Sequence, residues 1–153
     1  MAIRWATPAD YAELGKVMYD AVRNGPSAYS QAQRRAWVPI PRDGPDWHAR
    51  LCGQDILVSQ EGGRITGFVS MMPDGYIDFA YVRPAAQGTG LFRKLFTSIE
   101  THAQERGITH LTTHASLMAQ PAFAAAGFKV VQHEEVQIRG EVFKRAKMVK
   151  GMD

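Results

Sequence analysis

The sequence predicts a mixed α/β fold of α+β character. It is one domain over residues 1–153, built on a single twisted, mostly antiparallel mixed sheet of about six to seven strands with helices on both faces. Three observations carry this. The chain has 153 residues, 45% hydrophobic and 22% charged, which suits one buried core and excludes a disordered or collagen-like chain. Apolar residues recur at helical spacing near the N-terminus and again after residue 90, with strand-like runs between. Turn signals join those middle runs as hairpins, whereas strand and helix alternate in the C-terminal half.

Ile3 and Trp5 start the chain as a short strand. Thr7-Pro8-Ala9-Asp10 has the order of a helix start: a capping hydroxyl, a proline where no N–H is needed, and a carboxylate in the first turn. Leu14, Val17, Met18, Ala21 and Val22 mark the buried face, and Asn24-Gly25-Pro26 ends the helix. Ser30 is expected to cap a second helix to Trp37, residues 38–46 form a Pro-rich loop, and Asp46 is expected to cap a third helix to Leu51. Ile56-Leu57-Val58 and Ile65 to Met72 then flank the turn Glu61-Gly62-Gly63, and Pro73-Asp74-Gly75 leads into a strand from Tyr76 to Val82. Leu91, Leu95, Ile99 and Ala103, with Phe92 and Phe96, define a long amphipathic helix ended by Gly107. A strand Leu111 to Ala115, an Ala-rich helix Ala119 to Ala126, and a hairpin pairing Val130 to Ile138 with Val142 to Val149 complete the order.

Lys+Arg 18 against Asp+Glu 15 gives a net charge of +3, which suits an anionic ligand but is too small and dispersed to mark a nucleic-acid binder. The lone Cys52 cannot form an intrachain disulfide, and reads as inert packing; the N-terminus lacks a signal-peptide core, and no apolar run is long enough for a membrane span. A cytoplasmic protein with no nucleic-acid or membrane partner is expected. His110 and His114 are four apart, but on a strand, so no metal is expected.

The stretch that carries chemistry is Tyr81-Val82-Arg83-Pro84-Ala85-Ala86-Gln87-Gly88-Thr89-Gly90-Leu91. A strand ends at a proline, a loop with two glycines comes next, and a long helix begins. The first N–H groups of a helix lack intrahelical partners and carry the positive end of its dipole, and glycines let an anion approach that backbone. This predicts a phosphate or pyrophosphate seat at residues 87–92; on glycines alone, a plain β–α turn stays open as the alternative.

Val82-x-Pro84 followed by Gln87-Gly88-Thr89-Gly90 resembles the acetyl-CoA signature of the GNAT N-acetyltransferase superfamily, Gln/Arg-x-x-Gly-x-Gly/Ala. Ser116-x-x-Ala119 with Ala126-Gly127-Phe128 resembles that family's Asn-x-x-Ala-x-x-Phe-Tyr before Gly-Phe. Tyr29-Ser30-x-x-Gln33-x-x-Ala36-Trp37 resembles a bacterial branch of it, so the likeness spans nearly the whole chain. It implies a sheet splayed at the cofactor and transfer of an acetyl group from acetyl-CoA, the cosubstrate, to a primary amine of a small molecule or peptide, by direct attack in a ternary complex. The implied cofactor residues are Ala80, Tyr81, Val82, Gln87, Gly88, Thr89, Gly90, Leu91, Phe92, Arg93, Ser116, Ala119 and Phe123. The N–H of Val82 would polarise the acetyl carbonyl, an oxyanion-hole role.

Two residues depart from that pattern. Phe92 stands where the last Gly or Ala of the signature belongs, and is tolerable if it points into the core beside Phe96. Phe123 stands where many members carry the Tyr that protonates the leaving thiolate, so Ser116 or water is the candidate donor, with an ordinary helix cap as the other reading of Ser116. These departures raise an alternative function, a non-catalytic acyl-CoA-binding or sensing module on the same fold. Asp78 lies in an otherwise apolar strand, where a carboxylate is costly unless paired or functional. It is the candidate to bind the substrate ammonium and take its proton, with a structural ion pair as the alternative. Tyr29, Gln33 and Trp37 share helical spacing and, with Asp78 and Tyr81, are the candidate acceptor residues, with plain core packing as the other reading of Tyr29 and Trp37. Trp47 and His48 read as a lid or a surface anchor, and the C-terminal hairpin edge is a candidate surface for a homodimer.

Overall fold

The structure is a computed structural model and describes residues 1–152. Seven strands join one sheet in the order β1-β2-β3-β4-β5-β7-β6. They are β1 (Ala2–Trp5), β2 (Asp55–Glu61), β3 (Arg64–Met71), β4 (Tyr76–Val82), β5 (His110–Ser116), β6 (Lys129–Ile138) and β7 (Glu141–Gly151). All neighbours pair antiparallel except β4 with β5, which are parallel. The helices are α1 (Tyr11–Asn24), α2 (Gln31–Trp37), α3 (Pro45–Leu51), α4 (Leu91–Glu105) and α5 (Gln120–Ala125). The expected mixed sheet with helices on both faces is present.

The alternating strands divide their side chains between two cores. Val58, Phe68 and Phe79 meet Leu14, Val17, Met18 and Leu51 under α1 and α3, while Val69, Ile77, Leu111 and Met148 meet Leu95, Phe96, Ile99 and Phe123 under α4 and α5. Each such side chain, fully withdrawn from water, contributes about 1.5–3 kcal/mol.

Four local expectations are corrected. Pro8–Asp10 is a 3-10 turn and α1 proper begins at Tyr11; Asp10 is held there by both terminal nitrogens of Arg4 at 2.9 Å and by the Thr7 N–H at 2.8 Å. Gly44, at φ +89°, caps α3, and Asp46 sits inside its first turn. Trp47 is neither lid nor surface anchor: it is buried, and its Nε1 donates to the Tyr11 carbonyl at 2.7 Å. Cys52 is exposed, not packed.

Two features of β4 open the sheet. Its register with β3 runs Ser70↔Phe79, then Met71↔Ile77, so Asp78 is the extra residue of a β-bulge. Its pairing with β5 is limited to Tyr76↔Thr112 and Ile77↔Thr113. A bulge bends its own strand, and beyond Ile77 the two strands diverge.

Candidate active site

The divergence leaves main-chain groups of β4 without a ladder. The Arg83 N–H donates to the Thr66 carbonyl of the neighbouring strand at 2.8 Å. By the alternation of an antiparallel ladder, the N–H groups of Ala80 and Val82 therefore point away from β3, into the gap. Arg83 pins that end of β4, with its buried guanidinium donating to the Ile65 carbonyl at 2.8 Å and reaching Asp20 at 3.2 Å. Three side chains satisfy other main-chain groups around the gap: Gln87 donates to the Val82 carbonyl at 3.1 Å, Gln120 donates to the Ala115 carbonyl at 3.3 Å, and the Tyr29 hydroxyl accepts from the Leu117 N–H at 3.0 Å. The N–H groups facing the gap from β4 receive no such cover among the described residues.

A cleft of about 250 Å³ runs through this gap from α1 and α2 to the start of α4. At its far wall the chain turns through Gly88 (φ +74°) and Gly90 (φ +79°), left-handed conformations that glycine adopts without strain. A Cβ at either would meet nothing within 4 Å, so the backbone lies open to an incoming group. Lys94 is the residue whose N–H returns to the Gly90 carbonyl, at 3.2 Å, which leaves the N–H groups of Leu91, Phe92 and Arg93 at the helix mouth without intrahelical partners.

Of the cofactor residues that the resemblance implies, Ala80, Tyr81, Val82, Gln87, Gly88, Gly90, Leu91, Phe92, Ser116 and Ala119 line this cleft. Three expected cofactor residues do not. Thr89 turns its hydroxyl to the Ala86 carbonyl at 2.6 Å, Arg93 donates to the Ala125 carbonyl at 3.0 Å, and Phe123 is buried. Sequence reasoning missed Ala21 and Val22 of α1, Pro26 and Ser27 after it, and Met118 and Ala122. Helical spacing marks Ala21 and Val22 as a buried face, but nothing local shows that this face borders a gap.

On the acceptor side, Trp37 and Tyr81 line the cleft with ring centroids 6.2 Å apart. Tyr29 and Gln33 are otherwise employed. The buried Tyr29 hydroxyl donates to the Lys144 carbonyl at 2.5 Å, while Gln33 closes the cap of α2 by accepting from the Ser30 N–H at 2.7 Å and donates to the Val142 carbonyl at 2.7 Å. Both tie α2 to β7. Asp78, its side chain 4% exposed, accepts from Arg50 at 3.1 and 2.9 Å and from Gln54 at 2.9 Å, so both oxygens are engaged. Ser116 accepts from the Ala119 N–H at 3.2 Å, which caps that turn and leaves the hydroxyl proton to be donated. Burial raises the Tyr81 phenol well above its usual value. The half-buried Arg42, its guanidinium 5.8 Å from the centre of the Trp47 ring, makes no hydrogen bond or ion pair among the described residues, and burial lowers it from the usual range.

A family model described as an acetyltransferase (GNAT) domain matches residues 27–149. The chain belongs to the GNAT acetyltransferase family. It is 32% identical over 120 residues to the L-methionine sulfoximine/L-methionine sulfone acetyltransferase of Salmonella typhimurium, covering 70% of this chain and 66% of that relative. Among solved structures it superposes on a GCN5-related N-acetyltransferase from Rhodopseudomonas palustris with a TM-score of 0.90 and 32% identity, covering 99% of this chain and 95% of the other. It also resembles yncA of Salmonella typhimurium, solved with its cofactor acetyl-CoA, at a TM-score of 0.69 and 25% identity over 100% of this chain and 94% of that one.

Both departures from the GNAT signature are absorbed by one aromatic cluster. Phe92 stacks on Phe96 at 5.8 Å with planes 9° apart, so its ring borders the cleft while lying against the core. Phe123 meets Phe92, Phe96 and Phe128 edge-on at 5.5, 5.8 and 5.1 Å. Such pairs contribute about 0.5–1.5 kcal/mol each beyond burial. A packing role thus occupies the position at which many GNAT members place a hydroxyl.

Proposed function

We propose that the protein is an N-acetyltransferase that moves the acetyl group of acetyl-CoA to a primary amine by direct attack within a ternary complex. The observation that carries this reading is a single cleft with main-chain donors on two walls: the helix mouth at Leu91 and Phe92, suited to the pyrophosphate, and the β4 edge at Ala80 and Val82, suited to the thioester carbonyl. The Val82 N–H takes the developing oxyanion, and the Ser116 hydroxyl supplies the donor that Phe123 lacks. Gly88 and Gly90 let the cofactor approach; Thr89, Arg93 and Phe123 support the loop and helices from behind. Trp37 and Tyr81 form the acceptor wall, with Tyr29 and Gln33 holding that wall in place. Asp78 anchors the bulge through Arg50 and Gln54.

Arg42 favours a narrower acceptor class. A half-buried guanidinium that lies over the Trp47 ring and makes no hydrogen bond or ion pair among the described residues suits a carboxylate on the acceptor, as in an amino acid, and the Salmonella relative is named for L-methionine derivatives. The test is acetyl-CoA turnover over a panel of amines and amino acids, read as thiol release. Acetyl-CoA at about 100 times its Kd should stabilise the fold by about 2.7 kcal/mol. Stabilisation without thiol release for any amine would instead identify a sensing module, and no stabilisation at all would remove the cofactor.

A further inference from the structure

A second set of polar side chains lies at the paired end of β4 and β5, beside the cleft and outside the residues that line it. Along β5, Leu111 and Ala115 enter the core under α4 and α5, so His114 and Ser116 face the other way. On β7, Phe143 packs edge-on against Tyr29 and Trp37, and Arg145 and Lys147 share its face, in register with Ser116 and His114. This is the side on which the acceptor wall stands. There the Tyr76 hydroxyl lies 2.7 Å from Nδ1 of His114, Nε2 of His114 lies 3.6 Å from Glu134, and Arg145 donates to that Glu134 oxygen at 3.0 Å. One tautomer suits both neighbours: with the proton on Nε2 it faces the carboxylate, and the Nδ1 lone pair accepts the Tyr76 O–H.

We propose that Tyr76, His114 and Glu134 form a proton relay that deprotonates the acceptor amine during acetyl transfer, an inference that rests on the acetyltransferase reading above. The amine nitrogen forms its bond to the thioester carbon, and the C–S bond breaks with its electron pair left on sulfur. The surplus proton on nitrogen passes through water in the cleft to the Tyr76 oxygen as the proton already there passes to Nδ1 of His114. Glu134 faces the resulting imidazolium, which then releases its proton to solvent, while the departing thiolate takes one from solvent, directly or through the Ser116 hydroxyl, which is reprotonated by water as it donates.

The surroundings favour this direction. Burial first, then Arg145, holds the His114 imidazole below its usual value, with Lys147 acting the same way and Glu134 opposing, so the ring rests neutral and able to accept. Burial and then Asp78 raise the Tyr76 phenol, so it stays protonated and conducts a proton without persisting as a phenolate. The groups facing the ring are Tyr76 of β4, Glu134 of β6, and Arg145 and Lys147 of β7. Asp78, already bound by Arg50 and Gln54, leaves the proton to this set.

The experiment compares wild type, His114→Gln, Tyr76→Phe and Glu134→Gln in kcat/KM against pH, with the best acceptor of the amine panel. Below the ionisation of His114, log kcat/KM of wild type should rise with a slope of about two, one proton from the amine and one from the ring. His114→Gln should show a slope of about one throughout and a loss of about 10²–10⁴-fold, with the Kd for acetyl-CoA unchanged. Glu134→Gln should move the break to lower pH and Tyr76→Phe should lower the rate; a wild-type profile in His114→Gln overturns the relay. A second readout needs no acceptor: in the imidazole NMR titration of the unliganded protein, the His114 value should fall in Glu134→Gln and rise in Tyr76→Phe. Insensitivity to both also overturns the proposal. If wild type releases no thiol with any amine, the enzyme reading falls and the relay with it. Turnover with unmoved profiles sinks the relay alone.

Discussion

Replacing Asp78 with Asn keeps the outline of the side chain and removes its charge. The carboxylate accepts three hydrogen bonds of 2.9–3.1 Å from Arg50 and Gln54, and its side chain is 4% exposed. Net contributions of bonds to a charged group run at about 1.5–3 kcal/mol. Arg50 is 50% exposed and can return to water, so the pair counts at the low end of that range. An amide also presents an N–H₂ where a carboxylate oxygen had met a donor. The expected loss is about 1–3 kcal/mol, or roughly 2–12 °C in Tm for a chain of this size. Thermal unfolding followed by circular dichroism reads the stability, and thiol release against pH reads the chemistry. Asp78→Asn should lower Tm and leave the shape of the kcat/KM profile intact. Arg50→Ala should be harsher, because it leaves a buried carboxylate unpaired. The reasoning fails if Asp78→Asn leaves Tm untouched while kcat/KM collapses and its acid limb disappears, for then this carboxylate takes the proton.

Gly15→Ala should destabilise by about 1–3 kcal/mol despite the better helix propensity of alanine, because its Cβ would lie 1.8 Å from the Arg42 carbonyl oxygen; chemical denaturation measures it, and a neutral outcome would mean the 38–44 loop yields freely. Arg42→Gln should raise KM about tenfold or more for an amino-acid acceptor and leave KM for the matching decarboxylated amine unchanged, since one charge-assisted pair is worth about 1.5–3 kcal/mol. An equal change for both would remove Arg42 from acceptor recognition. The hydrogen bond from Arg4 holds the Asp10 carboxyl below its usual range. A depressed carboxyl value stabilises the fold above the unfolded value of about 3.9 and loses that contribution as pH falls through the folded value. Acid denaturation should therefore be less steep in Asp10→Asn, and an identical acid profile would contradict this.

The sheet, the cap of α2 and the glycine loop were readable because their signals are local. Gly88 and Gly90 are required by positive φ within a few residues of the helix they open, and Ser30 caps α2 through a bond to Gln33 three positions on. The roles of single polar residues were less readable, because their partners come from far along the chain. An Asp in an apolar strand had to be paired or functional, but choosing between them needs Arg50, 28 positions away on another element. Shared spacing put Tyr29, Gln33 and Trp37 together, yet only Trp37 lines the cleft, since the other two bond to main-chain groups of β7 that lie 115 and 109 positions on. Tyr76 and His114 met no criterion in sequence; only the two-pair contact of β4 with β5 brings them to hydrogen-bond distance.

That contact also relates the cleft to the proposed relay. β5 is held by seven register pairs to β7, and β4 by its ladder to β3, so the sheet consists of two well-paired halves joined through Tyr76↔Thr112 and Ile77↔Thr113. Zipping the halves further would satisfy the main-chain groups of Ala80 and Val82 and close the cleft. The bulge at Asp78, fixed by Arg50 and Gln54, turns β4 away just where zipping would continue, and Tyr29 and Gln33 hold α2 across the opening against β7. The energy of unpaired peptide groups is thereby kept available to a ligand that can bond to them. Tyr76 and His114 stand on opposite sides of the junction itself, so whatever opens the gap wide enough for a thioester also sets the distance between the two groups of the relay.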